Sequence, residues 1–303
     1  MSEPAHPPTT DASVEIPWGA DSEYGRLTDV LVCRPTHFRW MHTSEISGST
    51  LASGIPFDRD LADRQHAEMV SVYEQNGVSC HFLEPDPALP YQVFARDSST
   101  ATHDGNVVLQ MNQPWRRGEY APVVRFHEAE SIPILDIITA GAVEGGDVML
   151  IEPGCVLIGY CEARTQLAGA SQLADIFRAQ GWEARIEPFP PRYVHIDLLA
   201  VALAEKLAAV CTDVVSGGLH RWLEGRGFEL IDISEPEAFA LGANAMALGP
   251  GRVLSAAGAT QLNAGLRAHG IEVFDPDLSM FTLGGGGPHC LAQALRRERA
   301  GPA

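Results

Sequence analysis

The sequence predicts an α/β fold built from five ββαβ units that close into one ring. Three observations carry this expectation: a motif recurring along the chain, a two-strand pattern upstream of each copy, and an amphipathic helix between the two. The motif is a helical run, a glycine, an alternating apolar strand, then an acid or proline. It is read in NGVSCHFLEP from Asn76, QGWEARIEPF from Gln180, RGFELIDISEP from Arg226 and HGIEVFDPD from His269. Gly77, Gly181, Gly227 and Gly270 stand where a helix C-terminus calls for a left-handed residue. A weaker fifth copy, AESIPILDI near Ser131, lacks the glycine. The copies recur at roughly fifty residues, the mark of repeated structural units.

The two-strand patterns follow in order. STATHDGNVVLQM reads as strand, turn at Asp104-Gly105, strand. GDVMLIEPGCVLIGY repeats this with a turn at Pro153-Gly154, and NAMALGPGRVLSAA with a turn at Pro250-Gly251. HIDLLAVALAEKLAAVCTDVV is ambiguous. Its Ala and Leu content favours helix, whereas its place in the repeat favours two strands with a turn near Glu205. Agreement between units outweighs propensities of a few tenths of a kcal/mol per residue, so two strands are expected. Amphipathic helices are expected over residues 57–75 and 164–179. Such units bury one another and direct their loops to a common axis. Length alone suggests roughly two domains. The repeat instead predicts a single domain over residues 17–303, preceded by a flexible arm over residues 1–16.

Composition narrows the partners. The formal charge is −18, from 21 Lys and Arg against 39 Asp and Glu, and 45% of residues are apolar. So acidic a surface repels phosphate, which argues against nucleic acid and anionic membrane and is compatible with a cationic small molecule. The N-terminal residues have neither the basic nor the apolar region of a secretory signal. The longest apolar stretch, residues 198–210, is interrupted by Glu205 and Lys206 and is shorter than the ~20 residues a membrane span needs. Cysteines 33, 80, 155, 161, 211 and 290 include no C-x-x-C pair, so reduced thiols in a cytoplasm are expected.

Polar residues cluster at the openings of the units: Asp97 in FARDSST, Glu144 and Asp147 in EGGD, His195 and Asp197 in HID, and Cys290 in LGGGGPHC. Each has an ordinary alternative. Cys290 could be a small buried apolar residue, His195 structural, and Asp97 a partner of Arg96 in a surface ion pair. The histidines have no strong zinc spacing. What favours chemistry is their shared position in a repeat whose loops converge. Carboxylates suit a guanidinium, which they pair through two parallel hydrogen bonds. Held in plane, its carbon can be attacked by a cysteine thiolate, whose pKa the cation itself lowers. The histidine can protonate the departing amine and then activate water.

FARDSS, EGGD, IGYCEART, HID, NAMALG and GGGGPHC, in this order and spacing from about Glu23 to Cys290, resemble the guanidine-modifying (pentein) superfamily. That superfamily includes arginine deiminases, dimethylarginine dimethylaminohydrolases and amidinotransferases. The resemblance implies a five-bladed α/β propeller with pseudo-fivefold symmetry. It implies Cys290 as nucleophile, His195 as general acid and base, and Glu144 as the carboxylate beside it that binds the guanidinium. It implies Asp97 and Asp197 as grips on the guanidinium nitrogens. Arg164 and either Arg116 or Arg117, with Arg116 favoured by spacing, match arginines that receive a substrate carboxylate. No cofactor or metal is expected.

Three details bear on the branch. Asp197 resembles deiminases and amidinotransferases, since methylarginine hydrolases commonly carry a basic residue there. Glu144 resembles the hydrolases, because amidinotransferases usually have an aspartate in this role. The chain lacks room between Asp97 and Glu144 for the inserted helical domain of bacterial arginine deiminases. Cys290-Leu291-Ala292 departs from the common C-M-T. The expected activity is a cysteine-dependent amidine hydrolase giving a ureido product and ammonia or an alkylamine. Amidino transfer to an amine and a noncatalytic binding protein are the alternatives. The substrate beyond its guanidinium, and the oligomeric state, are left open.

Overall fold

The computed structural model describes residues 18–300, so the arm expected over residues 1–16 lies outside them. The chain enters through β1 (Leu27–Cys33), passes α1 (Glu45–Ala52) and α2 (Arg59–Gln75), and returns in β2 (Ser79–Leu83), parallel to β1. The start of α2 is fixed by Asp58, whose carboxylate accepts from Leu61 N at 2.9 Å, a cap worth about 1 kcal/mol. Ala62, Met69 and Tyr73 form its buried face. Gly77 ends the turn after it at φ +75°.

Four further units follow the same plan. The first is β3 (Ser99–Ala101), β4 (Asn106–Val108), α3 (Tyr120–Ala129) and β5 (Ile134–Ile137). The next is β6 (Val148–Glu152), β7 (Cys155–Tyr160), α4 (Leu167–Ala179) and β8 (Glu183–Pro188). Then come β9 (Ala200–Ala204), β10 (Leu207–Val210), α5 (Gly217–Gly225) and β11 (Glu229–Asp232). A short α6 (Glu235–Phe239) leads into β12 (Met246–Gly249), β13 (Arg252–Leu254), α7 (Thr260–Ala268) and β14 (Glu272–Phe274). The chain ends with α8 (Ser279–Thr282), α9 (Pro288–Leu291) and β15 (Ala292–Arg297), which pairs antiparallel with β1.

The described residues thus form five three-stranded sheets, one per unit, the first completed by the last strand. In every sheet the first pair is antiparallel and the second parallel. A parallel pair needs a long crossover, which the helix supplies. The first strands touch across units: β15 meets β3, β1 meets β12, β12 meets β9 and β9 meets β6. The turn before β3 meets the turn before β6. Strands β6, β7, β9 and β10 are buried along almost their whole length, which explains their unbroken apolar runs. Met149, Leu157, Val201, Ala209, Val253 and Leu262 belong to one core that crosses three units. Each such side chain contributes about 1.5–3 kcal/mol by burial.

The ambiguous segment is two strands, with Lys206 at φ +56° in the turn. Ser131 takes φ +55° where the other copies have glycine. One expected boundary shifts: α4 begins at Leu167, not 164. Glu162 adopts φ +61° and its N–H donates to Thr165 O at 2.9 Å, so residues 162–165 form a turn and Arg164 lies outside the helix. No helix of the described residues is long and apolar enough to cross a membrane.

Candidate active site

Four first strands are entered through a single tight turn: residues 95–98 before β3, 145–147 before β6, 196–198 before β9 and 288–291 before β15. These turns carry or directly follow Asp97, Glu144, Asp147, His195, Asp197 and Cys290, all buried. The repeat therefore sets side chains from four units side by side. Potential ligand atoms of His195, Asp197 and Cys290 lie within 4.8 Å of one another, as do those of Asp97, Glu144 and His195.

His195 Nε2 is 2.8 Å from Glu144 Oε2, and its Nδ1 is 3.7 Å from Asp97 Oδ1. Gly146 makes this approach possible. Its N–H donates to Asp97 Oδ1 at 3.0 Å, and a Cβ there would sit 2.4 Å from His195 Nδ1. Asp147 acts differently: its Oδ1 accepts from Ile196 N at 2.8 Å and so fixes the turn beside His195. Cys290 Sγ is 3.6 Å from Asp197 Oδ2. Among the buried polar atoms without a partner are His195 Nδ1 and the carboxylate oxygens Glu144 Oε1 and Asp197 Oδ1. Two are acceptors, and stranding them costs about 1–3 kcal/mol each. A planar cation rich in N–H groups would relieve that cost.

Burial disfavours a charge on His195, but Asp97 and then Glu144 and Asp147 outweigh it and hold the imidazole well above its ordinary range. Burial also works against the Glu144 carboxylate, yet Arg164, His195 and Arg116 hold it well below the usual carboxylate range. Burial, reinforced by Asp197, pushes the Cys290 thiol up to about 12. The resting pocket is thus a protonated histidine, an ionised glutamate and a neutral thiol.

The two expected carboxylate-binding arginines differ. Arg116 is buried, donating to both Glu119 oxygens at 2.9 and 2.7 Å, to Asp97 Oδ2 at 2.7 Å and to Phe94 O at 3.3 Å. Its guanidinium is occupied in holding Asp97. Arg164 donates to Glu144 Oε2 at 3.3 Å and to Thr43 O at 2.8 Å. Asp97, Arg116, Arg164, His195 and Cys290 line one pocket with about 290 Å³ of empty volume. Arg117 donates only to Asn112 O, at 3.3 Å, in an exposed position. At the group of Asp97, Glu144 and His195 a metal would compete with cations already on the carboxylates, Arg116 on Asp97 and Arg164 on Glu144, whereas Asp197 in the other group is contacted by His289.

Two residues escape the sequence reading. Asn244 Nδ2 donates to Cys290 Sγ at 3.1 Å, while its Oδ1 accepts from His289 N at 3.1 Å and Cys290 N at 3.3 Å. Repeat equivalence was the available signal: Asn244 stands two residues before β12, as Asp97 does before β3 and Cys290 before β15. His289 Nδ1 lies 2.8 Å from Asp197 Oδ2. Nothing but its adjacency to Cys290 marks it in the sequence.

Comparison with known proteins gives a consistent result. The profile of the family described as N,N dimethylarginine dimethylhydrolase, eukaryotic, matches residues 54–297. The chain is 27% identical over 283 residues to the uncharacterized protein YkgA of Bacillus subtilis, covering 91% of this chain and 94% of that one. It is 28% identical to the N(G),N(G)-dimethylarginine dimethylaminohydrolase of Mycobacterium tuberculosis, over 78% of this chain and 76% of that one. It is 26% identical to the arginine deiminase of Mycobacterium marinum, over 82% and 70%. Among solved structures, the substrate-bound N-terminal domain of ArgZ, a cyanobacterial arginine dihydrolase, superposes with a TM-score of 0.78 at 17% identity, over 89% of this chain and 98% of that one. DDAH from Pseudomonas aeruginosa, complexed with citrulline, gives 0.74 at 22%, over 88% and 99%. At these identities the structural likeness is one of fold.

Proposed function

We propose, from the premise that this chain belongs to the N,N dimethylarginine dimethylhydrolase family within the guanidino-modifying superfamily, that it is a cysteine-dependent amidine hydrolase acting on arginine or an arginine-like guanidine. The observation that carries the reading is the convergence of Cys290, His195, Glu144, Asp97 and Asp197, two of them with unpaired carboxylate oxygens, beside a pocket lined by Asp97, His195 and Cys290. The contacts between first strands, together with the pairing of β1 and β15, support a closed five-bladed propeller forming one domain.

In this mechanism the guanidinium docks against Asp97 and Asp197. Its positive charge offsets the carboxylates that raise the thiol, so Cys290 loses its proton to solvent. The thiolate attacks the guanidinium carbon, forming a C–S bond. His195, already charged, gives its proton to the leaving nitrogen, and the C–N bond breaks to release the amine. The covalent amidino-cysteine remains. His195, now neutral, takes a proton from water as the oxygen adds to the same carbon. Collapse breaks the C–S bond, the hydroxyl proton passes to the departing Cys290 sulfur, and the ureido product and the neutral thiol remain. Glu144 holds the imidazole in line and stabilises its charge. Arg164 is the arginine left to receive a substrate carboxylate. Asp197 Oδ1 needs an N–H partner, which an unsubstituted guanidinium supplies and a dimethylated nitrogen does not. Arginine is therefore preferred over dimethylarginine.

The test is a panel of L-arginine, agmatine, NG,NG-dimethylarginine and other guanidino compounds, with ammonia, alkylamine and urea measured. Amine release without an added acceptor, abolished in Cys290→Ser while substrate binding persists, supports hydrolysis. Strict dependence on an amine acceptor would overturn it in favour of amidino transfer. Binding without turnover or a Cys290 adduct would leave a binding protein.

A further inference from the structure

We infer that His289 is a positioning residue that orients Asp197 beside Cys290, an inference that rests on the amidine-hydrolase reading. His289 is only 1% exposed and makes two hydrogen bonds and one longer ion-pair approach. Its backbone N–H is fixed by Asn244, its Nδ1 lies 2.8 Å from Asp197 Oδ2, and its Nε2 lies 3.6 Å from Glu23 Oε2. Glu23 is itself immobilised: its Oε1 accepts from Arg96 Nη2 at 3.0 Å and from Leu150 N at 3.2 Å. Arg96 in turn donates to Gly145 O at 3.1 Å and Val148 O at 2.6 Å, the backbone just after Glu144. Arg96, Glu23, His289 and Asp197 therefore form a buried run of alternating charge-bearing groups between the Glu144 turn and the Asp197 turn, hydrogen-bonded at Arg96–Glu23 and at His289–Asp197.

The direction of the contact decides its role. A carboxylate oxygen only accepts, so Nδ1 is the donor to Asp197 Oδ2. The other donor to Asp197 is the weak Cys290 thiol at 3.6 Å. Without His289, rotation of the carboxylate about its terminal torsion is soft, because such torsions have broad wells. With it, Oδ2 is held and Oδ1 stays unpaired for the guanidinium. His289 touches neither the substrate nor the reacting atoms in this scheme. It sets a carboxylate that both grips the substrate and raises the thiol.

Three variants separate this role from a structural one. The amide of His289→Asn sits close to the Nδ1 position, whereas that of His289→Gln reaches the Nε2 position, and His289→Leu removes both. The assay is steady-state turnover of L-arginine and of NG,NG-dimethylarginine, with melting temperature recorded for each variant. His289→Asn is expected to stay within a few-fold of wild type, and His289→Gln and His289→Leu to lose about 10- to 100-fold in kcat/KM, the range for one charge-assisted hydrogen bond. Equal activity in all three variants, or rescue by Gln and not by Asn, overturns the inference. Equal loss in all three overturns it too. Failure of the wild type on both substrates overturns the hydrolase reading and this inference with it, and the wild-type control alone tells that outcome from the others.

Discussion

Asn244→Asp is close to isosteric and isolates one interaction. The new side chain keeps an oxygen to accept from the His289 and Cys290 N–H groups, so the backbone around the cysteine is retained. What changes is the donor 3.1 Å from Sγ, which becomes a second carboxylate oxygen. Two routes to the reactive thiolate then exist. If the new carboxylate stays ionised, the thiolate loses a charged hydrogen bond worth about 1.5–3 kcal/mol. It also meets a repulsion of about 5 kcal/mol at an effective dielectric of 20. If the carboxyl is protonated, it donates to the thiolate, but from an ordinary value near 4 this costs about 4 kcal/mol at pH 7. The cheaper route sets the penalty, so reactivity falls about a thousandfold at pH 7. Because protonation becomes easier as pH falls, the deficit relative to wild type shrinks about tenfold per unit toward pH 5. The assay is the rate of Cys290 alkylation by 2-chloroacetamidine, a cationic reagent matched to the carboxylate-lined pocket, followed by peptide mass. Wild-type rates in Asn244→Asp at pH 7, or a deficit that does not narrow with acid, would refute the assignment of Asn244 as the donor that stabilises the thiolate.

Other consequences follow from the same geometry. Since Cys290 is held as a thiol up to about 12, binding of a guanidinium should release close to one proton, read from the dependence of binding enthalpy on buffer ionisation heat. The release should vanish in Cys290→Ser, and its persistence there would point to another group. Gly146→Ala should lower kcat at least tenfold with little change in melting temperature, because the added methyl strikes the His195 ring and must displace it. Burial holds His127 down to about 4, and neither ring nitrogen has a hydrogen-bond partner. The unfolded chain takes up this proton near pH 6.5 and the folded one only near 4, so stability is present above 6.5 and lost as pH falls. His127→Phe should therefore recover up to roughly 3 kcal/mol at pH 4 relative to its effect at pH 7, measured by urea unfolding. An unchanged difference across that range would show that the histidine titrates normally.

The repeat made much of this architecture readable. Residues 200–210 favour helix by propensity, yet they are two strands, because five units sharing a core constrain each other more than local preference does. Ser131 shows the opposite weakness: the backbone position is kept while its glycine is lost, so the copy looked fainter than it is. The start of α4 was misread because the turn at residues 162–165 carries no glycine or proline. In the site, residues opening the units were legible by position. Arg116 was read as a site residue as well, but its pairing with Glu119 and Asp97 was not legible. Local sequence cannot reveal that an arginine is already fully occupied. Asn244 was overlooked because an amide suggests no chemistry alone. Its importance comes from the thiol that the next unit boundary sets against it.

The pairing of β15 with β1 also has a consequence for biogenesis. Leu27 lies opposite Arg297, so the first strand of the first sheet is made after the strands of the other four, and Cys290 stands just before it. During synthesis the other four sheets can condense while the first still lacks an edge partner. Cys290 leaves the ribosome after the strands of the other four sheets, and it meets Asn244 and Asp197 when β15 docks on β1. A reactive thiol and its carboxylates are thereby kept apart until folding is almost finished. Folding should accordingly end in a slow, long-range step, with the onset of Cys290 labelling by a cationic reagent as its marker.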